Sequence, residues 1–232
     1  MRDVSSLAVS ADGQHVAVGD GPELLTYLGT GAPVWKHFCD GILIDVAYAG
    51  PHLVAVDSDG RVTFFRAADG RKMQEVQLEG VVKGSMVSPD GRYAALTSAG
   101  IVIVEANGQT AGYPYPDVSV GSFGPDSGSM GIGTSNGVFT ALDSTNGQPW
   151  GSIQMPTAIS AAVWNPRGFW MFTAGNELVG CDGAATEVQF RVGLEANARA
   201  LAVTQDGAIA AVLTPPGRIA LVELYKHRIA GH

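Results

Sequence analysis

The sequence predicts an all-β protein: a six-bladed β-propeller of four-stranded antiparallel blades, the last blade lacking most of its outer strand. Three observations carry that expectation. A unit of about 40 residues recurs six times along the 232-residue chain, short alternating strands separated by glycine turns fill each unit, and the final unit stops early. A small sheet cannot bury both of its faces alone, whereas sheets packed radially about an axis can. A two-sheet β-sandwich is the rival architecture, and the even spacing argues against it.

The repeat is anchored on a turn that follows an apolar segment. Its strong copies are Ser10-Ala11-Asp12-Gly13, Ser88-Pro89-Asp90-Gly91 and Thr204-Gln205-Asp206-Gly207. Weaker copies are Ala49-Gly50-Pro51-His52, Gly124-Pro125-Asp126-Ser127 and Asn165-Pro166-Arg167-Gly168. Positions 13, 51, 91, 127, 168 and 207 are therefore equivalent, with spacings of 38, 40, 36, 41 and 39 residues. The units run over residues 4–39, 40–79, 80–116, 117–155, 156–192 and 193–232, and together form one expected domain.

After each turn comes a compact strand, as in His15-Val16-Ala17-Val18, Leu53-Val54-Ala55-Val56 and Phe169-Trp170-Met171-Phe172. A second turn follows (Asp59-Gly60, Ala99-Gly100, Asn136-Gly137, Pro216-Gly217), then another strand such as Arg61-Val62-Thr63-Phe64-Phe65. Glycine and Asn or Asp supply the positive φ that two-residue hairpin turns require. No stretch holds a 3.6-residue period, and 31 Gly with 12 Pro interrupt the chain too often for helices.

Two resemblances follow from these residues. Val138-Phe139-Thr140-Ala141-Leu142-Asp143-Ser144-Thr145-Asn146-Gly147-Gln148-Pro149-Trp150 resembles the repeat of the PQQ-like, quinoprotein-type propellers, in which Ala-x-Asp precedes Thr-Gly and a Trp. Thr30-Gly31-Ala32-Pro33-Val34-Trp35 is similar to the same element in the first unit. Ser88-Pro89-Asp90-Gly91 before an apolar strand resembles the WD-repeat-like propellers, although the Gly-His and Trp-Asp signatures of eukaryotic WD repeats are absent. Both resemblances imply the fold rather than an activity.

The last unit is short. Aligning Gly217–Val222 on Gly60–Phe65 puts His232 level with Glu75, where the second unit's fourth strand begins. Val4–Val9 already reads as the innermost strand of the first unit, so the N-terminus does not supply the missing strand. An unpaired strand edge is a site for β-augmentation by another chain. The segment Lys226-His227-Arg228 admits two readings, charge that blunts an exposed edge or a docking element. A third possibility keeps the propeller and adds a further blade from outside this sequence.

Composition sets the other limits. Hydrophobic residues at 46% and charged residues at 16% exclude a disordered chain. The net charge of −8 disfavours nucleic acid. No apolar run reaches the roughly 20 residues of a membrane span, and Met1-Arg2-Asp3-Val4-Ser5-Ser6 lacks a signal-peptide core. No membrane insertion is expected, and a cytoplasmic location is. Charge is uneven: the fourth unit holds Asp117, Asp126 and Asp143 with no Lys or Arg, while the last holds Arg199, Arg218, Lys226 and Arg228.

No reaction chemistry is legible. His15, His37, His52, His227 and His232 fall apart from one another without metal-ligand spacing. Asp57-Ser58-Asp59-Gly60 lacks the distal ligands of a calcium loop and reads as a hairpin turn. Cys39 and Cys181 lie in the first and fifth units and are expected to be free thiols. No catalytic or metal residue is assigned and no cofactor is expected, since PQQ enzymes of the resembled family are longer, exported proteins.

The expected role is therefore a non-enzymatic scaffold for protein–protein interaction, a subunit of a larger assembly. The alternative is a quinoprotein-like enzyme that binds a cofactor or metal in the axial channel. The contact candidates are Tyr113 and Tyr115, because Tyr buries a large area at low entropic cost, and Leu224, Tyr225, Lys226, His227 and Arg228 beside the open edge.

Overall fold

The computed structural model describes residues 4–224. The interaction candidates Tyr225, Lys226, His227 and Arg228 lie outside the described residues. Among the described residues there are 23 strands, arranged in six antiparallel sheets. Packing divides the chain into two compact units that meet in sequence at Pro114 and Tyr115, with three sheets in each.

In the first unit, sheet one is β1 (Val4–Val9), β2 (His15–Asp20), β3 (Glu23–Leu28) and β4 (Pro33–Phe38). Sheet two is β5 (Leu43–Ala49), β6 (His52–Asp57), β7 (Arg61–Arg66) and β8 (Lys72–Gln77). Sheet three is β9 (Val82–Val87), β10 (Tyr93–Thr97), β11 (Ile101–Val104) and β12 (Thr110–Tyr113). In the second unit, sheet four is β13 (Val118–Phe123), β14 (Ser129–Thr134), β15 (Val138–Asp143) and β16 (Pro149–Gln154). Sheet five is β17 (Ile159–Asn165), β18 (Phe169–Ala174), β19 (Glu177–Cys181) and β20 (Val188–Gly193). Sheet six has three strands among the described residues, β21 (Ala200–Val203), β22 (Ile209–Thr214) and β23 (Arg218–Glu223). Every sheet is an up-and-down meander, as short glycine turns dictate.

The turns between first and second strands share one bonding pattern. Ser10 Oγ donates to Asp12 at 2.6 Å, and the same Asp12 oxygen accepts the Gln14 N–H at 2.9 Å. Thr204 and Asp206 repeat this, at 2.6 Å to the hydroxyl and 3.0 Å to the Ala208 N–H. Ser88 donates to Asp90 at the equivalent place. The hydroxyl donors chiefly, and backbone N–H groups after them, hold the Asp12 and Asp206 carboxyls below the usual carboxylate range. Such groups stabilise the fold fully above their unfolded pKa of about 4, and the contribution is lost as pH falls through the lower folded values. The urea midpoint followed by circular dichroism should therefore be flat between about pH 7 and 5 and fall below about pH 4. Asp57 behaves as the expected hairpin residue, its Oδ1 accepting the N–H groups of Asp59 and Arg61 at 3.0 Å each.

Each sheet has a front, turned to its predecessor within the unit, and a back, turned to its successor. In the first unit the back of sheet one (Ala17, Leu24) packs on the front of sheet two (Leu53, Ala55, Phe65). The back of sheet two (Val54, Val56, Phe64) packs on the front of sheet three (Tyr93, Ala95, Val104). In the second unit Phe139 and Ala141 of sheet four meet Trp170 and Phe172 of sheet five. Phe169, Met171 and Leu178 on the back of sheet five meet Ala210, Val212 and Val222 of sheet six. Strands buried on both faces, such as β6 and β18, are continuous apolar runs rather than alternating ones. Burying each large side chain there contributes about 1.5–3 kcal/mol, and that packing holds the sheets together.

Candidate interaction surfaces

The outer side of β23 is a strand edge with no partner strand among the described residues. Leu224 donates its N–H to the Ala208 carbonyl at 2.8 Å, so the backbone groups of alternate residues in β23 point to β22 and those of Ile219 and Leu221 point away. No described strand pairs with β23 on that side, where every other sheet has its fourth strand. A groove of about 690 Å³ runs along it, walled by Val192, Leu194 and Glu195 and by β23 itself. Ile219 and Leu221 are exposed, 68% and 70%. Arg218 at one end of the strand pairs with Glu195 at 3.6 Å, and Thr214 and Glu223 line the groove beside the apolar Val192, Leu194, Ile219 and Leu221.

The candidates beside this edge are placed differently. Leu224, expected among the contact residues, is buried with Phe169, Leu178 and Val222, and the exposed apolar residues of β23 are Ile219 and Leu221. Tyr113 ends β12, is half-buried, and lines a hollow of about 420 Å³ with Val76, Leu78, Ile101 and Val102. Tyr115 is half-buried, and its hydroxyl donates to the Gly147 carbonyl at 2.8 Å, so part of its aromatic area is already spent on the β15–β16 turn.

A polar cluster that sequence reading passed over joins the three inner strands of the first unit. The Asp45 carboxylate on β5 accepts from Ser6 of β1 at 3.3 Å, from Ser85 of β9, and from the Tyr93 hydroxyl at 3.2 Å. Ser6 in turn accepts the Val46 N–H at 3.0 Å. Burial first, and the adjacent carboxylate second, push the Tyr93 hydroxyl far above its ordinary range. With three hydroxyl donors on it, Asp45 acts as a tie between sheets. The signal in the sequence was the recurrence of Ser or Asp at equivalent inner-strand positions about 40 residues apart.

The two thiols are free, as expected. Burial pushes Cys39 up to about 11 and Cys181 higher still, so neither is a ready nucleophile. Among the described residues no three His, Cys, Asp or Glu side chains are placed to hold a metal ion, and no helix is long and apolar enough to cross a membrane.

No protein-family model and no curated protein matches the sequence. Solved structures do. The chain superimposes on the C-terminal WD40 domain of Sif2 with a TM-score of 0.81 at 19% identity, over 96% of this chain and 67% of that one. On Saccharomyces cerevisiae Sqt1 the TM-score is 0.82 at 13% identity, over 99% of this chain and 74% of that one. The fold is a WD-repeat-like β-propeller. Its six sheets are the blades, and the β-propeller domain of Myceliophteria thermophila Cps50 (Swd1) is a further likeness, with a TM-score of 0.76 at 12% identity over 96% of this chain and 88% of that one. Identities this low establish the fold alone. They accord with the turn and strand pattern of Ser88-Pro89-Asp90-Gly91 and leave binding to the surfaces described above.

Proposed function

We propose that this propeller, residues 1–232 taken as one domain, is a non-enzymatic scaffold and a subunit of a larger assembly, and that a partner protein adds an extended strand to the outer edge of blade six. The single observation that carries this reading is the side of β23 on which no described strand pairs, with two outward backbone positions and exposed Ile219 and Leu221 beside a groove of about 690 Å³. Main-chain hydrogen bonds would supply affinity, and alternate side chains entering the groove would supply selectivity.

The PQQ-like kinship of the repeat draws support from Trp35, whose indole N–H donates to the Ala67 carbonyl at 2.8 Å and whose ring closes over Gly70, where a Cβ would lie 2.6 Å from it. Trp150, the other tryptophan of that repeat element, is 47% exposed. That likeness concerns how blades dock and brings no cofactor with it. A cytoplasmic location suits two unpaired cysteines.

Ile219→Pro tests the edge, because proline removes an outward N–H that β22 does not use and places a ring where the new strand would lie. Tagged chain recovered from its own source should bring down a foreign polypeptide at fixed stoichiometry, and Ile219→Pro should lose it with an unchanged circular dichroism spectrum. Retention of the partner by Ile219→Pro would show that the edge is not its site, and absence of any stoichiometric partner would refute the scaffold reading.

A further inference from the structure

Three steps in the sequence join an asparagine to a glycine: Asn107-Gly108, Asn136-Gly137 and Asn146-Gly147. Each lies in a hairpin turn, where the glycines adopt φ of +87°, +89° and +71°. All three asparagines are exposed. Such a step carries its own chemistry, because the glycine nitrogen has no neighbouring Cβ to shield it and lies close to the electrophilic carbon of the asparagine amide. The folded surroundings separate the three. Asn107 Oδ1 accepts the Gln109 N–H at 2.8 Å, and Asn146 Oδ1 accepts that of Gln148 at 2.8 Å. That bond folds the side chain forward over the following peptide and draws electron density from the amide carbon. Asn136 Oδ1 is held instead by the hydroxyl of Thr134, two residues back. The backbone there is also fixed, since Gln154 Nε2 donates to the Asn136 carbonyl at 3.1 Å and the Met155 carbonyl crowds Gly137. Gly147 is buried, and its carbonyl accepts the Tyr115 hydroxyl at 2.8 Å. Gly108 is half-buried, and the atoms that a Cβ there would meet belong to the Gln74 side chain rather than to backbone.

We propose that Asn107 is a site of spontaneous modification, converted through a cyclic imide to aspartate and isoaspartate, and that the change loosens the outer hairpin of blade three. The Gly108 nitrogen gives its proton to solvent and bonds to the Asn107 side-chain carbon. The carbonyl electrons move onto Oδ1, where the Gln109 N–H stabilises them. As they return, the bond to Nδ2 breaks and ammonia leaves, taking a proton from solvent. Water then opens the ring: at the side-chain carbonyl it yields aspartate, and at the main-chain carbonyl isoaspartate. One water enters and one ammonia departs, so the step needs no oxidant and no cofactor. The Gly108 N–H must first leave the Glu105 carbonyl, to which it donates at 2.9 Å, and local opening of an exposed turn permits that.

The consequence reaches beyond the side chain. Asn107 Nδ2 donates to Glu105 Oε2 at 3.1 Å and to Gln109 Oε1 at 3.2 Å. A carboxylate can donate to neither, and it sets a second negative charge beside Glu105. Isoaspartate also lengthens the backbone by one carbon inside the turn. The strand that follows, β12, has only four residues, paired from Val104 with Thr110 to Ile101 with Tyr113. So short a ladder has few bonds to hold it once its turn is disturbed. The inference concerns blade three alone and stands or falls separately from strand addition at blade six.

Peptide mapping by mass spectrometry tests this on the 232-residue chain, kept folded in mildly alkaline buffer at body temperature and sampled over days. Peptides containing Asn107 should gain the mass of an amide-to-acid conversion at least about fivefold faster than those containing Asn136, the factor that one hydrogen bond of ordinary strength supplies. In concentrated urea the sites should react at similar rates, because the fold is what distinguishes them. Asn107→Asp installs the charge directly, and amide hydrogen exchange across β12 should then quicken at least about fivefold while β9 and β10 stay unchanged. An Asn107 that stays intact in the folded chain, or reacts no faster than Asn136, would overturn the site. Rates as unequal in urea as in the folded chain would overturn the role given to the Gln109 N–H. Unchanged exchange across β12 in Asn107→Asp would overturn the loosening.

Discussion

Trp170→Ala should lower the unfolding free energy by about 3–5 kcal/mol, the range for removing a fully buried large aromatic. Trp170 is wholly inaccessible and is held on all sides. Its ring meets Trp164 edge-on at 4.7 Å and Phe139 at 6.0 Å, and its indole N–H donates to the Gly183 carbonyl at 2.9 Å. Gly131 on blade four leaves room for that ring, since a Cβ there would come within 2.8 Å of it. The alanine variant thus opens a cavity at the junction of blades four and five that rigid backbone on both sides cannot close. Differential scanning calorimetry should show a fall in melting temperature of about 6–20 °C for a chain of this length. Trp170→Phe keeps most of the volume and loses the hydrogen bond, so it should cost only about 1–2 kcal/mol.

Gly137→Ala should be the most damaging single methyl in the fold. Asn136-Gly137 turns β14 into β15 with φ +89° at the glycine, a region that residues with a Cβ seldom adopt. The added Cβ would lie 2.4 Å from the Met155 carbonyl oxygen and 2.7 Å from that of Thr157, both backbone atoms that lead into β17. The Met155 N–H donates to the Gly137 carbonyl at 2.9 Å, which fixes that approach. Backbone strain of about 1–3 kcal/mol and overpacking of a similar size add to a loss of about 2–6 kcal/mol, measurable by urea denaturation. Gly13→Ala is the control: its φ of +68° carries the strain, yet nothing lies within 4 Å of the new methyl, so it should cost much less.

These positions show what the sequence discloses and what it hides. Asn136-Gly137 and the Ser-x-Asp-Gly turns are local chemistry, and their spacing of about 40 residues counts the blades before any packing is known. The absence of a fourth strand pairing with β23 among the described residues was likewise readable, by aligning Gly217–Val222 on Gly60–Phe65. The surroundings of Leu224 were not, since a leucine just past a strand is core or surface according to what the facing blade supplies. Asp45 depends on residues 39 to 48 positions away, so its role as a tie appears only when blades one, two and three are set side by side. For Tyr115 a contact role and packing between blades were equal readings of the sequence, and its bond to the Gly147 carbonyl was not legible because any residue has a carbonyl.

Hydrogen–deuterium exchange resolved to single amides tests the open edge of blade six, on which the binding role depends. The Ala220 and Val222 N–H groups, directed at β22, should be protected, while those of Ile219 and Leu221 should exchange as fast as exposed loop amides. The third strands of the other blades, β3, β7, β11, β15 and β19, have partners on both sides and should be protected at successive residues. Slow exchange at Ile219 and Leu221 in the isolated chain would mean that the edge is already occupied, contradicting a free site for an incoming strand.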